Sequence, residues 1–159
     1  MRFQPTRRTG CRRSLPPSRP SSPAAATSDA EVPLILGIDH FVLTVASLEA
    51  TCAFYQRVLG FERVDTPGRP TALAFGNQKI NVHEISRTFE PKAESPTPGS
   101  SDFCLITDRP LDEFLAGLEA NHVTLELGPV DRIGAQGPMM SVYFRDPDGN
   151  LVEVSQYLR

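Results

Sequence analysis

The chain carries one pattern twice. Asp39-His40-Phe41-Val42-Leu43-Thr44-Val45 opens the first copy and Ser101-Asp102-Phe103-Cys104-Leu105-Ile106-Thr107 the second. A helix-like stretch and several short strands follow each of them. A period of roughly sixty residues in two copies is too long and too sparse for a solenoid array. It constrains the fold to a pair of like units, and duplicated units build a cleft from matching halves. Residues at equivalent positions then face one another, and here those positions hold His40 and Asp102.

In the first unit, Ile38–Val45 is a β-branched run between Gly37 and Ala46, which predicts a strand. Ser47 is suited to cap the helix that follows, with Leu48, Cys52, Phe54, Tyr55, Val58 and Leu59 on one side and Gly60 ending it. Strands are expected at Phe61–Thr66, Thr71–Phe75 and Lys79–Ile85, with a turn at Pro67–Pro70. In the second unit, Asp102–Thr107 is a strand and a helix opens at Asp108 or Pro110 and runs to about Asn121. Strands follow at Leu125–Arg132, bent at Gly128-Pro129, at Met140–Phe144 and at Leu151–Tyr157. Asp146-Pro147-Asp148-Gly149-Asn150 is a strong turn, with proline at its second position and glycine where φ turns positive. His122, at the end of the second helix, reads as a surface or capping residue.

The fold class is therefore α+β: two tandem βαβββ modules, 36–86 and 101–158, in a domain spanning 34–159. They are expected to form one curved mixed sheet, with helices on the convex face and a concave cleft left open. The segment 86–100, with Pro91, Pro96, Pro98 and Gly99, is a linker. Residues 1–33 are rich in Arg, Ser and Pro and have too little apolar surface to offset ordering entropy, so a disordered tail is expected. The lack of acidic residues in its first 28 positions also suits an organelle transit peptide, mitochondrial or plastid; without that role a cytoplasmic protein is expected.

Six of the 16 basic residues lie within residues 1–28, which hold none of the 19 acidic ones, so the remainder has nine more acidic than basic residues. Such a body offers no broad basic face to a phosphate backbone, which argues against nucleic-acid binding. No apolar run approaches the ~20 residues that span a bilayer, so no membrane partner is expected. Three cysteines are not a disulfide framework, and Cys52 and Cys104 read as core packing.

Strand alternation sorts the polar residues onto faces. His40, Val42 and Thr44 point one way in the first strand, as Asp102, Cys104 and Ile106 do in its counterpart. In the last strand, Glu153 lies between Val152 and Val154, so the valines take the core and the carboxylate the cleft. Aligning Gly76–His83 on Gly149–Ser155 places Asn81 opposite Glu153, with His83 two residues further on the same face. Imidazole is the better metal ligand and an amide a poor one, so either residue could fill the fourth position. The candidate metal set is His40, His83, Asp102 and Glu153. Two imidazoles and two carboxylates suit a divalent cation (Zn, Ni, Mn or Fe) that grips two adjacent oxygens of a small-molecule ligand.

The patterns Phe54-Tyr55-Gln56-Arg57-Val58-Leu59-Gly60-Phe61 and Phe144-Arg145-Asp146-Pro147-Asp148-Gly149-Asn150-Leu151-Val152-Glu153, in this order after Ile38-Asp39-His40-Phe41-Val42-Leu43, resemble the vicinal oxygen chelate superfamily. That superfamily holds glyoxalase I, bleomycin-resistance proteins, extradiol dioxygenases and fosfomycin-modifying enzymes. The strands around Asn81-Val82-His83-Glu84 and Asp102–Thr107 look like its glyoxalase domain-containing protein 5 branch. The resemblance covers about residues 36–158. It implies His40 and Glu153 as first-strand and last-strand ligands, with Glu153 also moving the substrate proton, and metal-dependent lyase or isomerase chemistry. The pattern departs at Asp102, where glyoxalase I usually has His, and at Asn81, where it has Glu or Gln. A metal-free binding module of the bleomycin-resistance kind and an extradiol-type dioxygenase are the alternatives. Duplicated modules also invite symmetric pairing into a homodimer.

Overall fold

The structure is a computed structural model that describes residues 34–158. The expected disordered tail, with its transit-peptide reading, lies at residues 1–33, outside the described residues.

Residues 36–158 hold both copies of the repeat in one compact unit. Module 1 runs β1 (His40–Val45), α1 (Leu48–Leu59), β2 (Glu62–Val64), β3 (Thr71–Phe75) and β4 (Gln78–Glu84). Module 2 runs β5 (Asp102–Ile106), α2 (Leu111–Ala120), β6 (Leu125–Gly134), β7 (Gly137–Arg145) and β8 (Leu151–Tyr157). Both have the order β-α-β-β-β, so the α+β reading and the two modules hold. The expected single sheet is instead two four-stranded ladders, β1-β4-β3-β2 (sheet 1) and β5-β8-β7-β6 (sheet 2). Each is mixed: β1 runs parallel to β4 and β5 parallel to β8, while the other pairs are antiparallel. No ladder joins β1 to β5. Side chains link them instead, with the Phe41 and Phe103 rings 5.0 Å apart.

Local chemistry explains the boundaries. The Ser47 hydroxyl accepts from the Ala50 amide at 3.3 Å, meeting one of the N–H groups a helix start leaves without a partner. Gly60, at φ +70°, ends α1 by turning its amide back to Gln56 and Tyr55. Proline 110 stands just outside α2, because the helix begins at Leu111. Asn121 closes it, its side-chain amide donating to the Gly117 carbonyl at 2.8 Å, and His122 follows as an exposed residue with φ +55°. The bend in β6 falls where the register shifts between Leu127 and Val130, at Gly128-Pro129.

Alternation then divides each sheet. Leu43, Val45, Leu73, Ile80 and Val82 of sheet 1 join Val142, Phe144, Val152 and Val154 of sheet 2 in one buried cluster with Cys52, Phe54 and Tyr55 of α1 and Leu111 and Leu118 of α2. The opposite faces carry no helix. His40, Val42, Thr44, Lys79, Asn81 and His83 stand on the uncovered face of sheet 1. Asp102, Cys104, Ile106, Glu153, Ser155 and Tyr143 stand on that of sheet 2. Cys52 packs in the core as expected, but Cys104 does not. Phe103 and Leu105 take the inward positions of β5, which turns Cys104 outward. No helix among the described residues is long and apolar enough to cross a membrane.

Candidate functional site

Register settles which positions the two modules share. His40 pairs with Lys79, Val42 with Asn81 and Thr44 with His83; Asp102 pairs with Leu151, Cys104 with Glu153 and Ile106 with Ser155. His40 is thus the counterpart of Asp102, and Asn81 that of Glu153. His83 corresponds to Ser155 and sits four residues along the sheet from His40, about 13 Å at ~3.3 Å per residue. Imidazoles bind a metal at ~2 Å, so the two rings are poorly placed to share one. His83 is also only 4% exposed, with the Phe89 ring 5.4 Å away. Burial first, and then the nearby Lys92 charge, hold its pKa below that of an ordinary imidazole.

His40 is placed differently. Its side chain is 44% exposed and its Nδ1 lies 2.6 Å from Asp39 Oδ1. A carboxylate on Nδ1 fixes the tautomer and leaves Nε2 as the atom with a lone pair to offer, the usual support for a metal-ligating or proton-moving imidazole. The same hydrogen bond holds the Asp39 carboxyl below the usual range.

On sheet 2, Glu153 stands between Cys104 on β5 and Tyr143 on β7. Its Oε1 accepts from the Ser155 hydroxyl at 3.0 Å, and Ser155 Oγ lies 2.7 Å from Ser141 Oγ and 3.2 Å from Cys104 Sγ. Although Cys104 is turned outward, its neighbours partly desolvate the thiol and push it up, which disfavours the nucleophilic thiolate. The Tyr143 hydroxyl accepts from Arg132 Nε at 2.9 Å, and the guanidinium stands 5.3 Å from the ring centre. Burial and the Glu153 carboxylate raise the Tyr143 phenol while Arg132 opposes them, the net shift being upward. Sequence reading missed Tyr143 and Arg132. The five-residue turn before β8 was the available signal, since counting back across it pairs Tyr143 with Glu153.

His40 and Asp102 border a common cavity of about 400 Å³ at the start of β1 and β5, beside Phe41, Phe75 and Phe103. His83 and Glu153 lie outside it. Among the described residues no three His, Cys, Asp or Glu side chains come close enough to hold a metal ion. The donors are chemically apt, an imidazole and two carboxylates, but the full set is not assembled among the described residues of one chain.

The family model for the Glyoxalase/Bleomycin resistance protein/Dioxygenase superfamily matches residues 37–154, a span that includes His40, Asp102 and Glu153. The chain belongs to that superfamily. Its relatives include Virulence protein STM3117 of Salmonella typhimurium, 50% identical over 121 residues, covering 76% of this chain and 84% of the relative. The solved structure of STM3117 superposes with a TM-score of 0.77 at 49% identity, covering 79% of this chain and 99% of that one. Lactoylglutathione lyase from Agrobacterium tumefaciens matches at 29% identity and TM-score 0.59, covering 76% and 92%. TnmS3, an antibiotic binding protein from Streptomyces sp. CB03234, matches at 25% and 0.63, covering 80% and 100%. The superfamily assignment agrees with both β-α-β-β-β modules and with the helix-free faces on which His40 and Glu153 stand.

Proposed function

We propose that the chain is a metal-assisted lyase or isomerase of a small oxygenated metabolite, acting as a homodimer in which sheet 1 of one copy and sheet 2 of the other enclose each site. One observation carries this reading. Asp102 and Glu153 share the uncovered face of sheet 2 and His40 holds that of sheet 1, yet among the described residues of one chain no three donors meet. Joining the two faces through a second copy gives an imidazole and two carboxylates, a set that suits Zn, Ni, Mn or Fe. In this reading His40, Asp102 and Glu153 are the ligands, and His83 serves packing beneath Phe89. A bound cation supplies Lewis acidity toward two adjacent substrate oxygens.

The chain's own groups supply the rest. Ser155 donates to Glu153 Oε1, and the carboxylate takes and returns a substrate proton only when it leaves the metal transiently. Tyr143, kept protonated and held by Arg132, presents a hydroxyl beside that carboxylate. The likeness to a lactoylglutathione lyase supports this class of chemistry.

Elemental analysis of purified protein tests the reading. About one divalent ion per chain is expected, lost in His40→Ala and Glu153→Gln and kept in His122→Ala. Metal-free protein that takes up none of the four ions would overturn it.

A second reading is a metal-free binding module. It is favoured by Asn81, an amide at the position Glu153 fills in the other module. The antibiotic binding protein TnmS3 supports it. Ligand affinity that survives chelation unchanged would select this reading.

A further inference from the structure

We propose that the cavity on the uncovered face of sheet 1 is an oxyanion site that takes the carboxylate or phosphate end of the substrate. This deepens the reading of these faces as a small-molecule site and does not depend on the metal.

The cavity measures about 410 Å³, within the range of small-ligand pockets. Ala72 and Ala74 of β3 border it, and their short side chains leave the space open. Lys79, Arg69, His40, Asn81 and Thr66 supply its polar groups, and no carboxylate lines it. The surrounding domain is acidic, with nine more acidic than basic residues between 29 and 159. A wall without carboxylates and with two fixed cations runs against that background and concentrates anions.

Both cations are available. Arg63, Arg109 and Arg145 are paired with Glu49, Glu113 and Glu126, whereas Lys79 and Arg69 form no ion pair among the described residues. Lys79 also borders the neighbouring cavity with Asp39 and Asp102, but Asp39 is already bonded to His40 and neither carboxylate lines this one. Arg69 is carried at the rim by the Pro67–Pro70 turn, its amide donating to the Thr66 carbonyl at 3.0 Å. The Asn81 amide makes no side-chain hydrogen bond among the described residues, so its N–H groups can meet an incoming oxygen. Guanidinium can grip a carboxylate or phosphate with two parallel bonds while ammonium adds a point charge.

The feature is not a by-product of the repeat. In module 2 the places of His40, Lys79 and Asn81 are held by Asp102, Leu151 and Glu153, which makes that face anionic. One face therefore suits a cation and the other an anion, as a metal-bound substrate with a charged tail would require.

The test uses the full chain after exhaustive chelation, titrated separately with inorganic phosphate and with pyruvate, and followed by amide NMR and calorimetry. Binding should move the Ala72, Ala74 and Asn81 amides and weaken as salt is raised. Arg69→Gln and Lys79→Met should each weaken the better probe about tenfold, the equivalent of ~1.4 kcal/mol. Lys79→Arg should bind within a few-fold of the parent, which separates lost charge from lost folding. Stronger phosphate binding assigns a phosphoryl group and stronger pyruvate binding a carboxylate. If neither probe moves these amides, or if both charge-removing variants bind as the parent does, the site is refuted. The chelated sample keeps this outcome distinct from failure of the metal reading.

Discussion

The Tyr55 hydroxyl donates to Asp146 Oδ2 at 3.0 Å, joining the helix of module 1 to the turn of module 2 across 91 positions of sequence. Asp146 also receives the Asp148 and Asn150 amides at Oδ1 and the Asn150 side chain at Oδ2. Asp148, two residues on, accepts from the Ala46 amide at 2.9 Å and the Thr51 hydroxyl at 3.3 Å. What reads in sequence as a turn is a latch between modules, and it fixes the strand that carries Glu153. Tyr55 is fully buried, and that burial first, with the Asp146 charge, pushes its phenol far up.

Tyr55→Phe removes one of four donors to Asp146 and should cost about 1–2 kcal/mol by urea denaturation. Asp146→Ala leaves several buried donors without a partner and should cost more, about 3 kcal/mol or above. A double-mutant cycle should show clear coupling. Additive losses would mean that the latch is not a unit.

Gly128 has φ +120°, and a Cβ there would lie 2.6 Å from the Ser141 carbonyl oxygen and 2.9 Å from Val142 Cα. Backbone cannot yield as a flexible side chain can. Gly128→Ala should destabilise by more than about 2 kcal/mol, against ~1 kcal/mol for Gly76→Ala, where φ is positive but nothing crowds the added carbon. Thermal melts of the two variants decide the matter. Equal shifts would contradict it.

His83 titrates below an ordinary imidazole because burial, and then Lys92, disfavour its charged form. As pH falls, the unfolded chain therefore takes up this proton first. The stability tied to His83 is complete above the unfolded imidazole value of ~6.5 and is lost as pH drops below it toward the folded value. Phe89→Ala should open the ring to water and raise the His83 pKa, read by NMR titration, while Lys92→Met should raise it by a smaller amount. A pKa unmoved by the loss of Phe89 would show that something else buries the ring.

The fold was legible because each signal was local. The cap at Ser47, the Gly60 stop, the Thr71–Phe75 strand and the valines around Glu153 depend on neighbours in sequence, and all stand as read. The candidate site was less legible because the positions of its residues are set by register. Whether Asn81 or His83 answers Glu153 depends on how β4 aligns with β1, which a one-residue difference between the two turns obscures. The outward turn of Cys104 and the division of the sheet at β1 and β5 were likewise hidden. Both depend on how the edges of two modules meet, and apolar patterning alone does not specify that.

In the proposed dimer each site is shared between two copies. Mixing His40→Ala with Glu153→Ala protein, after reversible dissociation, tests it by metal content. Each variant alone should bind no divalent ion. If the halves come from different chains, half of the randomly paired dimers are mixed and each mixed dimer regains one intact site, so about a quarter of the wild-type metal should return. Metal that stays at the level of the separate variants, while wild-type protein binds it, would contradict the shared site.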